Sequence, residues 1–300
     1  MSSQMDAQPL VTVGIPVYNA ADSLETVVRS AMANPTERLE ILIVDNASTD
    51  ETEEIGRALA AEDPRVRYER NEVNVGQNGN FTRVFQLARG RWLRWLGDGD
   101  TLSEKYVETC LASVDGRPDV SAVTTVIEYV FDDGSTKVER YDGRRPDGSD
   151  PIDRLDAMLA LLTGSPFWVD PVYSLIRREA LSRSKLMSPI RFSDEVVACE
   201  LALWGPYLHV DEVLATRSWA MPPQGTRALR HAGVDRGRIA DWFMAAVQRP
   251  LMIADVWRAI GLTEGITAGD RARAVGTLAR YSGRLVRRRV RGKLQRMRGR

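Results

Sequence analysis

WLRWLGDGD, residues Trp92 to Asp100, is an apolar run that enters a tight, acidic, glycine-bearing turn. Asp98 and Asp100 stand two residues apart, and in an extended segment such residues face the same way. The spacing predicts two carboxylates side by side at the carboxyl end of a strand. Such a pair suits a hard cation that also holds a diphosphate. Mg²⁺ takes one or two protein carboxylates and fills its other positions with water and phosphate oxygens. A D-x-D is also common as a plain solvated turn, so its weight depends on what precedes it.

Working back, the first hundred residues alternate between strand and helix patterns. Leu10–Val17 is a short apolar strand, and Asp22–Ala33 reads as a helix with Asp22 or Ser23 near its N-cap. Leu39–Asp45, LEILIVD, is continuously apolar up to its last residue, as suits a strand buried on both faces. Ser48 and Asp50 are candidate caps for a helix running to about Ala61. Val66–Glu69 is a strand, Gln77–Ala88 a helix, and Arg91–Leu96 the strand that delivers Asp98. This β-α-β-α rhythm predicts a parallel sheet with helices on both faces, which binds ligands at the carboxyl ends of its strands. Beyond Tyr106 the pattern changes. Val120–Phe131 and Thr136–Tyr141 read as a hairpin, and Asp142–Pro151 as a loop. A helix over Ile152–Thr163, a strand over Val172–Ile176 and a helix containing Asp194–Trp204 follow. Two short extended segments, Tyr207–Val210 and Val213–Arg217, come next, and the chain is mainly helical from Thr226.

Four polar elements should therefore share one sheet edge: PVYNA (Pro16–Ala20), VDNASTD (Val44–Asp50), NVGQNGNF (Asn74–Phe81) and GDGD (Gly97–Asp100). Each has a bland alternative as a turn, a cap or a loop. Their shared placement carries the functional reading.

In these residues the chain resembles family 2 glycosyltransferases of the GT-A fold. The resembling text is VGIPVYNAADSLETVVRSA, EILIVDNASTDET and NVGQNGNFTRVFQLARGRWLRWLGDGD, over about the first 110 residues. A weaker echo runs through PFWVDPVYSLIRREAL and SDEVVACELALWGPYLHVDEVLATR. The resemblance implies an α/β GT-A domain over 1–220, with a nucleotide-binding half (1–110) and an acceptor half (111–220). A helical extension over 221–300 would end in a basic tail. It also implies an inverting transfer of a sugar from a nucleotide-diphospho-sugar to an acceptor hydroxyl, with Mn²⁺ or Mg²⁺ as cofactor. Pro16, Tyr18 and Asn19 would pack around the nucleoside, and Asp45 would accept a hydrogen bond from the base. Asn74, Gly76 and Asn80 would line the nucleotide pocket. Arg83 would approach the diphosphate, with a solvated helix face as its alternative. Asp98 would lie near ribose and diphosphate, and Asp100 would be the stronger candidate metal ligand. Asp194 would be the general base, with Glu195 second; helix capping is the competing role for this pair. The setting for relatives is surface-glycan or polysaccharide assembly, on a glycan or lipid-linked acceptor.

The chain departs from the family pattern twice. Gly99 interrupts a run of acids usual in relatives, and Trp219 stands where a histidine is common. These departures keep open a second reading, a nucleotide-sugar-binding or scaffold protein without turnover. His209 reads as structural, and His231 as a loop residue without a ligand role.

Composition limits the alternatives. The formal net charge is zero, but twelve Lys/Arg and no acid lie between Arg271 and Arg300. The rest of the chain is correspondingly acidic. This tail could lie on an anionic membrane surface, pair with the acidic body or remain solvated. Gly283 and Gly292 argue against one continuous helix there. Nucleic acid is not expected as a partner, because only Tyr281 interleaves the arginines. No run of eighteen apolar residues exists, and the N-terminus lacks the pattern of a secretory signal. With two distant cysteines, Cys110 and Cys199, these features predict a cytoplasmic protein, peripheral at the membrane at most. No dinucleotide fingerprint, P-loop, H-E-x-x-H, C-x-x-C or G-x-S-x-G is present.

Overall fold

The computed structural model describes residues 9–165, 167, 170–188, 192–219 and 238–298, with backbone alone at 238–246 and 288–298. Four parallel strands form its first half: β1 (Val11–Val17), β2 (Leu39–Asp45), β3 (Val66–Arg70) and β4 (Trp92–Trp95). Helices α1 (Leu24–Met32), α2 (Thr52–Glu62) and α3 (Gly76–Leu87) connect them. The alternation of β2 explains the layering. Ile41 and Ile43 enter one hydrophobic cluster with β1 and α1, while Leu42 and Val44 enter another with α3. Hence every residue of β1 and β2 is buried.

The sheet continues through β5 (Thr101–Leu102), β6 (Ala122–Phe131), β7 (Thr136–Val138), β8 (Leu175–Arg177) and β9 (Tyr207–Trp219), in the order β3-β2-β1-β4-β8-β6-β9-β5. Helix α4 (Tyr106–Ser113) lies between β5 and β6. Strand β8 runs antiparallel to both β4 and β6, and β6 runs parallel to β9. The two reversals restore direction. The carboxyl end of β9 and the amino end of β8 therefore reach the same sheet edge as the carboxyl ends of β1, β2 and β4.

Several expectations are corrected here. The two segments expected at 207–217 form one thirteen-residue strand, whose register against β6 shifts between Thr125 and Ile127. The strand expected at 172–176 opens as a 3₁₀ turn, Pro171–Tyr173, because Asp170 accepts from the Val172 N–H. Asp50, rather than Ser48, serves the start of α2, accepting from the Thr52 N–H and hydroxyl.

Helices α5 (Pro151–Leu162), α6 (Arg178–Ser182), α7 (Ser193–Trp204), α8 (Arg238–Leu262) and α9 (Ala268–Arg298) build the second layer. Helix α7 is buried from Val196 to Leu203, so it needs cover on all sides. Met252, Val256, Ala259 and Ile260 of α8, with Ala274, Leu278 and Tyr281 of α9, join its cluster. This packing, which reaches Tyr281, explains why α9 runs unbroken past Gly283, where tertiary contact outweighs the propensity cost; the helix continues through Gly292. The first half of the basic tail is docked. Arg273 pairs with Asp150 at 2.7 Å and Arg280 with Asp156 at 3.2 Å. Leu278 of the tail belongs to the core. No helix among the described residues is long and apolar enough to cross a membrane.

Candidate active site

Asp45 ends β2 at full burial. Its Oδ1 accepts from the Ser48 N–H (2.9 Å) and hydroxyl (2.5 Å), and its Oδ2 from the Tyr68 hydroxyl (2.6 Å) and the Arg70 guanidinium. Burial pushes its pKa up, but the bonds from Ser48, Tyr68 and Arg70 outweigh that and hold it below the ordinary carboxylate value. All four acceptor positions are thus engaged within the protein. The loop beyond Asp45 is stitched to the one after β1. The Asn19 N–H donates to Ser48 Oγ, and the Thr49 N–H to Asn19 Oδ1, each at 2.9 Å. Asn19 and Ala47 both take left-handed backbone, with φ of 51° and 61°. Asparagine tolerates that region; Ala47 is held there by its surroundings. Pro16 lies within β1, opposite Val44, and Tyr18 is exposed at the mouth.

The loop after β3 closes this wall. Asn74 Oδ1 accepts from Asn46 Nδ2 and the Gly76 N–H, both at 2.8 Å. Gly76 has φ of +77°, with open space where a Cβ would stand, so conformation explains the glycine. Asn80 is buried, and its amide donates to the Val17 and Val44 carbonyls while accepting from Asn71 at 2.9 Å. It ties the ends of β1 and β2 together from beneath. Arg83 is exposed, with no ion pair among the described residues.

The acidic turn departs from its expected form. The Asp100 N–H donates to the Gly97 carbonyl at 3.1 Å, and Gly99 has φ of +81°, as at the third position of a type II turn. The turn swings the carboxylates apart. Asp98 is exposed and accepts from the Ser23 hydroxyl, whereas Asp100 is buried, its Oδ1 accepting from the Ser218 N–H at 3.2 Å. The expectation that both face the same way is therefore corrected; it holds for an extended strand, and this segment is a turn. Gly99→Ala strains the turn and presses on Ser218, whose Cβ would lie 3.1 Å from the added methyl. The expected loss is about 1–3 kcal/mol of stability, read as a lower urea midpoint.

Burial raises the pKa of Asp100, opposed by the charges of Arg217 and Arg94. Arg217 pairs with Asp170 at 2.5 Å and lies over the Tyr173 ring at 3.8 Å. Although burial disfavours its charge, Asp170 holds its pKa well above the ordinary value. Arg94 is 2 % exposed and donates to the Trp95 carbonyl, while its Nε has no partner among the described residues. Asp170 and Arg94 were missed as site residues. Their signals were an Asp-Pro turn before a strand and a lone charge within an apolar one. Trp219 lies in a ring cluster with Tyr129 and Phe167, at centroid distances of 5.5 and 5.1 Å. His209 is buried with its Nδ1 2.9 Å from Thr124 Oγ1, and burial pushes its pKa down to about 4. His231 lies outside the described residues.

Asp194 and Glu195 open α7, whose first residue Asn78 of α3 reaches by donating to Ser193 Oγ at 3.4 Å, beside its 2.7 Å bond to the Ser188 carbonyl. The two acids part ways. Glu195 accepts from Arg249 of α8 (2.5 Å) and Tyr281 of α9 (3.1 Å). Asp194 stays solvent-accessible, with other groups crowded around it. That crowding, then the charges of Asp170 and Glu195, push its pKa up to about 6.

No cluster of three or more His, Cys, Asp or Glu could hold a metal among the described residues. One inward carboxylate, Asp100, remains, and its Oδ2 takes no hydrogen bond among the described residues. One carboxylate with phosphate oxygens and water satisfies Mg²⁺, so the residues fit an ion brought with a diphosphate.

The chain matches glycosyl transferase family 2 over residues 12–184, more than half its length. It belongs to that family. Among curated relatives, the GalNAc(5)-diNAcBac-PP-undecaprenol beta-1,3-glucosyltransferase of Campylobacter jejuni is 25% identical over 198 residues, covering 65% of this chain and 59% of that protein. The chondroitin synthase of Pasteurella multocida is 32% identical over 133 residues, 44% of this chain and 14% of that protein. The chain thus spans well under two thirds of these relatives. In fold it resembles S. aureus TarS, solved with UDP-GlcNAc (TM-score 0.62, 13% identity, 89% of this chain and 71% of that one). It also resembles the mannosyltransferase PcManGT of Pyrobaculum calidifontis, solved with GDP-Man and Mn²⁺ (TM-score 0.51, 16% identity, 91% and 80%).

Proposed function

We propose that this protein is an inverting glycosyltransferase that moves a sugar from a nucleotide-diphospho-sugar to an acceptor hydroxyl in glycan assembly. The observation that carries the reading is Asp194. It is an accessible carboxyl with its pKa raised to about 6, at the sheet edge that also presents Asp45, Asp100 and the three stitched loops. A base near neutrality, without an ion pair among the described residues, suits proton removal from a hydroxyl.

In this reading the loops after β1, β2 and β3 hold the nucleoside, with Tyr18 and Asn74 at the rim. Asn80 and Pro16 act from below by fixing the strand ends. Asp194 takes the acceptor's proton as its oxygen bonds to the anomeric carbon. The bond from that carbon to the diphosphate breaks in the same displacement, so configuration inverts. A divalent cation, when bound, offsets charge on the leaving diphosphate. Asp100 would hold it, with Asp98 at the rim. The acceptor, a glycan or a lipid-linked sugar, would enter past 111–220. The helices Arg238–Leu262 and Ala268–Arg298 serve as support, and the basic tail is the part that would meet an anionic membrane surface.

Calorimetry with UDP, dTDP and GDP, with and without Mn²⁺, tests this on wild type and Asp100→Asn. One nucleotide should bind in a metal-dependent way, about tenfold or more weaker in the variant. Because Asp98 and Asp100 diverge, a binder without turnover is the rival. It would bind nucleotide yet release no diphosphate from any nucleotide-sugar. No nucleotide binding at all would overturn the donor site.

A further inference from the structure

The opposite edge of the sheet, at the amino ends of β1, β2 and β4, holds a second cleft of about 550 Å³. Arg38, Arg89, Arg91, Arg177 and Arg178 line it against one acid, Glu179. That acid is 3.4 Å from Arg183. Arg38 and Arg91 are exposed, and their side chains make no ion pair among the described residues. Arg89 has only a 3.9 Å approach to Glu40, which Arg67 already holds at 3.0 Å. The inner two guanidiniums are fixed in place. Arg177 donates to the Val120 and Arg117 carbonyls and stacks on Trp92 at 4.3 Å, and Arg178 donates to the Gly90 carbonyl at 2.8 Å.

Carbonyls position these groups without neutralising them. Burial and the like charge of Arg91 push the Arg177 guanidinium below its ordinary pKa. Five cations around one hollow repel one another, and an anion in the hollow relieves that repulsion. Guanidinium forks match phosphate oxygens in pairs, and the hollow is of ligand size. We propose that this cleft binds a phosphate-bearing anion, either a soluble pyrophosphate-like ligand or an acidic lipid headgroup. It is distinct from the donor site, because the seven residues of β1 separate the two edges, a span of roughly 20 Å. The inference does not depend on the proposed transferase activity.

The test uses the full chain and an Arg38→Gln/Arg91→Gln double variant. Both residues are exposed, so the variant should keep its melting temperature and its nucleotide binding. In the first arm inorganic pyrophosphate is titrated calorimetrically. In the second the protein is sedimented with phosphatidylglycerol vesicles, against phosphatidylcholine vesicles. Binding that falls roughly tenfold or more in the variant is expected in at least one arm. A loss in the first arm identifies a soluble ligand, and a loss in the second alone identifies a headgroup. Equal binding by both proteins in both arms, or none in either, overturns the proposal.

Discussion

Asp194→Asn should lower kcat by roughly 10²–10⁴-fold while nucleotide binding stays intact. The substitution keeps the shape of the side chain and removes only its ability to take a proton. The pH dependence is the sharper readout. With the pKa of Asp194 at about 6, wild-type turnover should fall on an acid limb near that value, and the residual activity of the variant should lack this limb. Stability should move the other way. Because the folded-state pKa is raised, the ionised form is disfavoured in the fold. The native state therefore loses stability as pH rises from the ordinary carboxylate value to about 6, and the penalty persists above that. Neutral asparagine escapes it, so the variant should be at least as stable as wild type at pH 7.5 by urea denaturation. An inactive, destabilised variant would point to a structural role. A variant with full activity would remove Asp194 from the chemistry. Glu195 is a poor substitute, since Arg249 and Tyr281 already occupy its carboxylate.

Asp45→Ala should be among the most damaging single changes in the nucleotide half, at about 3–5 kcal/mol. It removes a fully buried carboxylate that four donors converge on, leaving the Ser48 N–H and two hydroxyls without their acceptor and Arg70 with only Glu53 (3.3 Å) and the Ser48 carbonyl (2.8 Å). The sign of its pH dependence is opposite to that of Asp194. A lowered pKa means that the contribution is complete above the ordinary carboxylate value and is lost as pH falls through the folded-state value. Urea midpoints of wild type and variant should lie far apart at pH 7 and converge toward pH 3. A small gap at pH 7 would show that the loop holds without Asp45. The same saturation bears on nucleotide recognition. With every acceptor position filled, a base N–H reaches Asp45 only if a donor leaves. Arg70, its side chain 30% exposed, is the donor with room to move.

The first half of the sheet was legible in the sequence because its strands are buried on both faces. Leu39–Asp45 has near-continuous hydrophobicity, and the strand fills those bounds. Polar residues after each such run could only fall at the strand ends. The orientation of the acidic turn was not legible, because two-residue spacing implies a shared face only in extended backbone, and Gly99 supplies φ of +81° instead. Nor was the ion pair of Asp170 with Arg217. Its partners are far apart in sequence and meet because β9 pairs alongside β6. The split between Asp194 and Glu195 was beyond local reading too, since residues from two later helices decide it. In α9, glycines argued for a break, while burial of Ala274, Leu278 and Tyr281 held the helix together.

That arrangement constrains how the chain can be made. Helix α7 starts at Ser193, but the apolar side chains that roof it arrive as late as Tyr281. A ribosome adding about 5–20 residues per second leaves that face of the helix, the one not covered by α5, bare for several seconds. Throughout that interval Glu195 also lacks the cation and hydroxyl that later engage it. The start of α7 is consequently fixed last, by the segment furthest in sequence from β1. The packing around α7 therefore waits for α9, while the four parallel strands can form well before it.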